Sequence, residues 1–598
     1  MSHRQGRIPA VLSTLALLWP AAGSGQSRPP IAPPAATNEF AIERGVMVPM
    51  RDGVRLATNL YRPTLPGPRF PVILIRTPYN QETMPFVTEP AKFFAGQGYL
   101  VVTQDIRGKF QSDGEFAVQM KDGEDGYDTI DWIVKQPWAT PKVGTYGCSY
   151  MGEVQLLAAK NRHPNHAAMI PQSSTGATGP AGGYYTNWGT YEGGTITLSA
   201  LFGWMGGAGS KVKGRTGDLE HLDFAKVLKS LPLATMAERA GYPPSDFKDF
   251  VTHPPADPYW DQMHYVRDDD RFDVPALHVN SWFDVTPDQT MYLFNLMRRT
   301  SISARARDNQ FVIMSPTAHC LSEAAGAPTK VGDRGFGDAR LPYFQIYLDW
   351  FDHWLKGIDN GVTKRPRVQY YVTGLNEWRT APSWPVPAVQ PTRYFLDDGR
   401  LSNRLPAPGR DSLRYDPDDP VPSRGGTVCC TGNPKDQPGA FDQSDLERRK
   451  DLLIYSTPPL ERGVTIAGSV TTALYVSSDR KDTDFTAKLI DVDPEGRSWN
   501  VVSGVIRARY RNGMTKPVWL SPGQVVRLEV NLKATAHRFL PAHRIRLWVS
   551  SSDFPLPDRN LNTGGDNVTE TSWLTATNTV YYGGRRASYL LLPITPDR

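Results

Sequence analysis

The run Gly147-Cys148-Ser149-Tyr150-Met151-Gly152 sets a serine among small residues. It follows Val143-Gly144-Thr145-Tyr146, a short strand pattern, and opens Tyr150 to Lys160, which is helical in composition. A serine at a sharp strand-to-helix turn is held in a strained backbone conformation with its hydroxyl exposed above the sheet. Only small neighbours clear that crossing, and Gly147 and Gly152 supply the room. The helix N-terminus behind the serine favours developing negative charge. The strict five-residue motif has glycine where Met151 stands, so alone the pattern equally fits a helix N-cap serine.

Two further residues point to nucleophilic catalysis. Asp284, in Ser281-Trp282-Phe283-Asp284, follows the strand pattern Ala276 to Asn280. His319, in Ser315-Pro316-Thr317-Ala318-His319, follows Phe311 to Met314. The order Ser149, Asp284, His319 is the nucleophile, acid, base order of α/β-hydrolases. Both partners fall in loops after strands, where open α/β sheets place their sites. Serine needs a base to take its proton, histidine serves as base and then as acid, and aspartate fixes the imidazole tautomer. The oxyanion needs two donors. One is the backbone N–H of Tyr150; the other is drawn from Arg76-Thr77-Pro78-Tyr79, where Tyr79 offers a phenolic O–H.

The elements around these residues read as an alternating α/β chain. A hairpin turns at Arg51-Asp52-Gly53. Pro71 to Ile75 and Tyr99-Leu100-Val101-Val102-Thr103 are apolar on both faces, as buried central strands are. Gly126 to Lys135 and Pro342 to Lys356 read as helices, the second with Gly357 as C-cap. The expected division is an α/β-hydrolase domain in two halves, 40–175 and 271–370, with an inserted helical cap at 176–270. The cap is expected to be helical around Leu219 to Ala240. Residues 371–598 alternate β segments with Pro/Gly/Asp turns and read as an all-β domain of sandwich or jelly-roll type.

The chain has 598 residues and a net charge of +5, which gives no reason to expect a nucleic-acid partner. Four cysteines exclude a disulfide scaffold. Arg4 and Arg7 precede an apolar run from Ile8 to Trp19 and then small residues, so 1–25 reads as a secretory signal peptide. No later run offers an integral membrane span. The expectation is an exported protein, periplasmic or extracellular, with self-association left open.

The Ser149 elbow, the Tyr79 loop, Gln104-Asp105-Ile106-Arg107-Gly108-Lys109-Phe110 and Ser112-Asp113-Gly114-Glu115-Phe116 together resemble the X-prolyl dipeptidyl peptidase / cocaine esterase (CocE/NonD) family of serine hydrolases. So do His253-Pro254-Pro255-Ala256-Asp257-Pro258-Tyr259-Trp260, Ser551-Ser552-Asp553-Phe554-Pro555 and Asp558 to Gly564. The resemblance implies a hydrolase, a helical cap and a C-terminal jelly roll. It carries the nucleophile to Ser149, the orienting acid to Asp284, the base to His319, and the oxyanion hole to Tyr79 and the Tyr150 amide. It also implies a small-molecule ester or amide as substrate, cleaved through an acyl-enzyme. Related α-amino acid ester hydrolases grip a substrate ammonium with carboxylates at positions that here hold Thr286, Pro287 and Asn187. That departure argues against α-amino acyl substrates and against an X-Pro dipeptidyl peptidase. Trp188, Trp282 and Phe283 suit an uncharged aromatic or alkyl acyl group instead.

Cys148 and Cys320 each adjoin a proposed catalytic residue, as a disulfide or as free buried thiols. Cys429-Cys430 is a neighbouring pair that bonds locally, bonds elsewhere or stays reduced. No His/Cys cluster has zinc spacing, and Asp416, Asp418 and Asp419 read as a solvated linker rather than a calcium site. No cofactor is expected. The alternatives are an X-Pro dipeptidyl peptidase, separated by a Gly-Pro-nitroanilide assay, and a glycan-binding protein with an inert hydrolase domain.

Overall fold

A computed structural model describes residues 27–67, 69–285 and 287–596. The expected leader at 1–25 and Thr286 lie outside the described residues. The first half of the chain builds β1 (Phe40–Pro49), β2 (Arg55–Pro63), β3 (Phe70–Thr77), β4 (Leu100–Asp105), β5 (Ala139–Cys148) and β6 (His166–Gln172). Helices α1 (Pro85–Gly96), α2 (Asp122–Val134) and α3 (Tyr150–Lys160) alternate with them. A cap follows, with a short hairpin of β7 (Tyr191–Glu192) and β8 (Thr195–Ile196) and the helix α4 (Leu198–Gly207). The chain then returns through β9 (Ala276–Phe283) and β10 (Gln310–Ala318).

The hydrolase sheet has ten strands in the order β1-β2-β4-β3-β5-β6-β9-β10, followed by Val368–Val372 and Glu377–Ala381. Its centre is parallel, with Val72 opposite Leu100 and Thr77 opposite Asp105. Alternation along β3 explains why this strand is apolar on both faces. Val72 and Leu74 pack with Ile130 and Ile133 of α2, while Ile73 and Ile75 pack with Phe94 of α1 and Phe351. Parallel strands covered on both faces need this double burial. The structure is an α/β-hydrolase fold with an inserted cap and an all-β C-terminal domain built on a sheet of eleven strands.

The cap departs from expectation in one respect. The stretch Leu219 to Ala240 is not one helical run; it holds only Phe224–Lys229, Met236–Arg239 and a short 3-10 turn, Leu233–Thr235. Pro232 lacks the N–H a continuing helix needs, and Ser230 ends the first piece in an extended conformation. The longest cap helix is instead α4, whose C-terminal end is tied to the hydrolase domain by the buried Lys109. Its ammonium donates to the carbonyls of Ala208 and Ser210.

Cap and β domain are joined by a buried ion cluster. Arg507 donates to Asp484 and to Asp558, each at 2.9 Å, and Asp558 accepts the Ile196 amide of the cap hairpin at 2.8 Å. Beside it, Gly193 sits at φ +55°, and a Cβ there would lie 1.9 Å from the Val505 carbonyl oxygen. Removing one partner of a buried pair leaves the others uncompensated. Arg507→Met is therefore expected to cost about 3–5 kcal/mol in urea denaturation, with loss of activity preceding loss of helical signal.

Candidate active site

β5 ends at Cys148 and α3 begins at Tyr150, leaving Ser149 alone at the turn with φ 61° and ψ −132°. A serine at positive φ is strained and persists only where its surroundings enforce it. Here they do. A Cβ on Gly147 would lie 2.5 Å from the Met151 Cβ, and one on Gly152 would lie 2.6 Å from the Gln172 carbonyl oxygen. Both glycines are thus required by contact, and Met151 is tolerated because its side chain turns into the core.

Ser149 Oγ lies 3.3 Å from the Tyr79 hydroxyl, which also accepts from Trp204 Nε1 at 3.3 Å. Burial pushes the Tyr79 phenol up to about 12, so it stays protonated and keeps a proton to donate. Its hydroxyl is also in reach of the Tyr150 amide. The Tyr150 hydroxyl is engaged elsewhere, donating to Asp122 at 2.7 Å and accepting the Gln119 amide. Tyr79→Phe is expected to lower kcat by about 10²–10³ with little change in KM, the usual cost of one oxyanion donor. Steady-state kinetics on an aryl ester checks it.

Asp284 ends the loop after β9 and His319 the loop after β10. His319 Nδ1 and Asp284 Oδ1 are 2.9 Å apart, and Asp284 is buried. Burial pulls the His319 pKa down, but the charge and hydrogen bond of Asp284 outweigh it, so the net shift is upward. Burial likewise raises the Asp284 carboxyl, and the same pairing brings it below its ordinary value. His319 Nε2 has no hydrogen-bond partner among the described residues. The loops are fixed to the elbow by the Cys148–Cys320 disulfide, which links the residue before Ser149 to the residue after His319.

Ser149, Tyr79 and His319 line one cavity of about 470 Å³. Its other walls come from Trp188, Tyr191 and Trp204 of the cap and from Cys429, Cys430 and Val505 of the β domain. Of the three aromatic residues expected to meet the acyl group, Trp188 lines this cavity and Trp282 and Phe283 do not, which corrects their expected placement. Trp282 donates to the Tyr371 carbonyl and packs on Trp384, while Phe283 packs on Phe336. Strand β9 runs on to Phe283, so both side chains alternate into the cores on either face of the sheet.

Glu153 escapes the sequence reading. Four residues after Ser149, it falls on the same face of α3, and that spacing is the available signal. It lines the cavity, and its Oε2 accepts from Gln119 Nε2 at 2.6 Å and Trp188 Nε1 at 2.9 Å. Glu192 and Asp553, in the same walls, are paired with Lys533 and Lys488. Glu153 forms no ion pair among the described residues. Burial pushes its carboxyl up to about 7. A folded pKa above the unfolded value means that ionisation costs the fold; the cost is absent below about pH 4 and full above about pH 7. Glu153→Gln keeps an acceptor oxygen and never ionises. It is expected to match the parent near pH 4 and to exceed it by up to about 3 kcal/mol at pH 8, read as the difference in denaturation midpoint.

Asn187, whose position bears on an ammonium site, is turned from the cavity and donates to the Pro255 carbonyl at 2.6 Å. Pro287 begins the helix Pro287–Thr300. Among the described residues, no helix is long and apolar enough to cross a membrane.

Fold and site together are those of a serine hydrolase. A family model described as X-Pro dipeptidyl-peptidase (S15 family) matches residues 52–321, and one described as X-Pro dipeptidyl-peptidase C-terminal non-catalytic domain matches 360–591. The chain is 34% identical over 588 residues to cocaine esterase of Rhodococcus sp., covering 93% of this chain and 99% of that protein. Among solved structures it is similar to an aminopeptidase from a marine sediment archaeon, Thaumarchaeota archaeon, with TM-score 0.81 and 25% identity over 96% of this chain and 99% of that one. It is also similar to an α-amino acid ester hydrolase, with TM-score 0.79 and 26% identity over 94% and 98%. The chain belongs to the X-Pro dipeptidyl peptidase / cocaine esterase family of serine hydrolases.

Proposed function

We propose that this protein hydrolyses acyl esters through an acyl-enzyme on Ser149, with His319 as base and then acid, and Asp284 holding the imidazole. The observation that carries the reading is the strained Ser149 beside the Tyr79 hydroxyl, in one cavity with a His319 whose Nδ1 is held by Asp284. Attack on the carbonyl moves charge to its oxygen, where the Tyr150 amide and Tyr79 act as donors. His319 then gives its proton to the leaving group, and water repeats the sequence on the acyl-serine. Trp188 and Trp204, 4.4 Å apart between ring centroids, offer an apolar wall to an aromatic or alkyl acyl group. We also propose that residues 1–25 direct export, and that the hydrolase, cap and β-domain divisions at 175, 270 and 370 are the domain boundaries. A burst with an activated aryl ester and covalent labelling by a fluorophosphonate test the mechanism; a protein that turns the ester over without either would refute it.

Glu153 favours a second reading, in which the acyl group carries an amine. A buried carboxyl without a cationic partner gains most from a ligand that brings one. In that case Glu153→Gln lowers kcat/KM for Gly-Pro-nitroanilide more than for a neutral aryl ester. Equal effects on both leave the neutral acyl group as the substrate.

A further inference from the structure

Two of the four cysteines are neighbours in sequence, and the fold brings both into the wall that faces His319. Cys429 and Cys430 line the cavity and are joined as a disulfide. One ligand atom from each of Cys429, Cys430 and His319 lies within 4.8 Å of the other two. Nδ1 of His319 is occupied by Asp284, so the atom that faces a ligand is Nε2, which has no partner among the described residues. A carboxylate holding the far nitrogen of a histidine is the usual support of a metal-bound imidazole.

The loop bearing the two cysteines is held by more than its disulfide. A Cβ on Gly203 of α4 would lie 2.1 Å from the Thr431 carbonyl carbon and 2.4 Å from the Cys430 carbonyl oxygen, so loop and cap helix are in tight contact. Lys533 further ties Thr427 at 3.2 Å. Opening the S–S bond therefore frees two sulfur atoms without freeing the backbone that carries them. A dithiol, itself oxidised to a disulfide, or a phosphine with water, itself oxidised to the phosphine oxide, supplies the two electrons and two protons that convert the disulfide to two thiols. A thiophilic cation then displaces those two protons and accepts a lone pair from each sulfur and from Nε2. Tetrahedral sites with metal–sulfur bonds of about 2.3 Å and metal–nitrogen bonds of about 2.0 Å need the two sulfurs to move apart once their bond is opened, while all three ligand atoms already lie within 4.8 Å of one another.

We propose that, once reduced, Cys429, Cys430 and Nε2 of His319 form a site for a thiophilic divalent cation such as Zn²⁺ or Cd²⁺, and that its occupation shuts the hydrolase off. The metal-binding half stands on the side-chain cluster alone; the inhibition half rests on His319 being the base, whose lone pair the cation takes. Thiolate and imidazole ligands together suit borderline-soft metals over Mg²⁺ or Ca²⁺.

The test uses the full-length protein reduced with a phosphine, its free thiols mapped by alkylation and mass spectrometry, then titrated with Cd²⁺ without substrate. The expected result is one Cd²⁺ per chain, with a thiolate-to-cadmium charge-transfer absorbance. Aryl-ester turnover should fall to the level of Ser149→Ala and recover with a chelator. The unreduced protein should show neither effect. Cys429→Ser/Cys430→Ser should lose the absorbance and the cadmium sensitivity, measured against its own rate. Cys148→Ser/Cys320→Ser should keep the absorbance, and His319→Gln should keep it with affinity weakened about tenfold or more. The site is overturned if the pair resists the phosphine, if reduced protein shows no absorbance, or if the absorbance follows Cys148 and Cys320 instead. Absorbance without inhibition overturns the shut-off while leaving the binding intact.

Discussion

Ser149→Ala is expected to leave a folded protein that turns over aryl esters about 10⁴- to 10⁶-fold more slowly, the range seen when a catalytic serine is removed from a triad. The substitution removes one oxygen and nothing else. Alanine keeps a Cβ, so the left-handed turn between β5 and α3 remains as strained as before. The hydroxyl's contact is the Tyr79 oxygen at 3.3 Å, and no fold-defining bond is lost. Thermal unfolding should therefore match the parent while fluorophosphonate labelling disappears. A variant that keeps both full turnover and full labelling would mean that another residue is the nucleophile. Residual rate, where measured, belongs to the Tyr79 and Tyr150 donors, which the change leaves in place.

The second large effect is at Asp284. Asparagine there preserves the shape of the loop but offers an amide where His319 Nδ1–H needs an acceptor, and by analogy with the serine-protease triad kcat falls about 10⁴-fold. The pH profile carries further information. Only neutral His319 acts as base, so the parent's kcat/KM rises with pH through a pKa above the ordinary histidine value of 6.5. Asp284 does most of the raising, with a smaller part from the Glu153 charge; burial acts in the opposite direction. With that charge gone, only the smaller Glu153 contribution opposes burial, and the acid limb of the profile moves to lower pH. A limb that stays in place, or moves up, would mean that Asp284 does not govern this titration.

Much of this is legible in the sequence, for identifiable reasons. The elbow can be read because contact demands glycine at 147 and 152, and a demand of that kind leaves its mark on the residues themselves. The central strands can be read because burial on both faces leaves continuous apolar runs. Trp282 and Phe283 mislead because nearness in sequence to Asp284 is not nearness to substrate: strand alternation sends their rings into the core. The cap is the least legible part. Its positions are set by contacts with distant partners, such as Lys109 with the end of α4 and Asp558 with Ile196. Glu153 lies in plain view, one helical turn from Ser149, but helix-forming residues are common there and nothing local marks its burial.

The joint between Arg507, Asp558 and the cap hairpin also orders events in time. Ser149, Asp284 and His319 have all been synthesised once residue 319 is made. The wall formed by Cys429, Cys430, Val505 and Pro557, and the ion cluster that presses the cap against it, arrive only with the last third of the chain. Domains fold in the order in which they are synthesised. A chain lacking that last third carries these residues in a cavity walled by the cap alone. The carboxy-terminal domain thereby supplies the last wall of the cavity that holds Ser149 and His319.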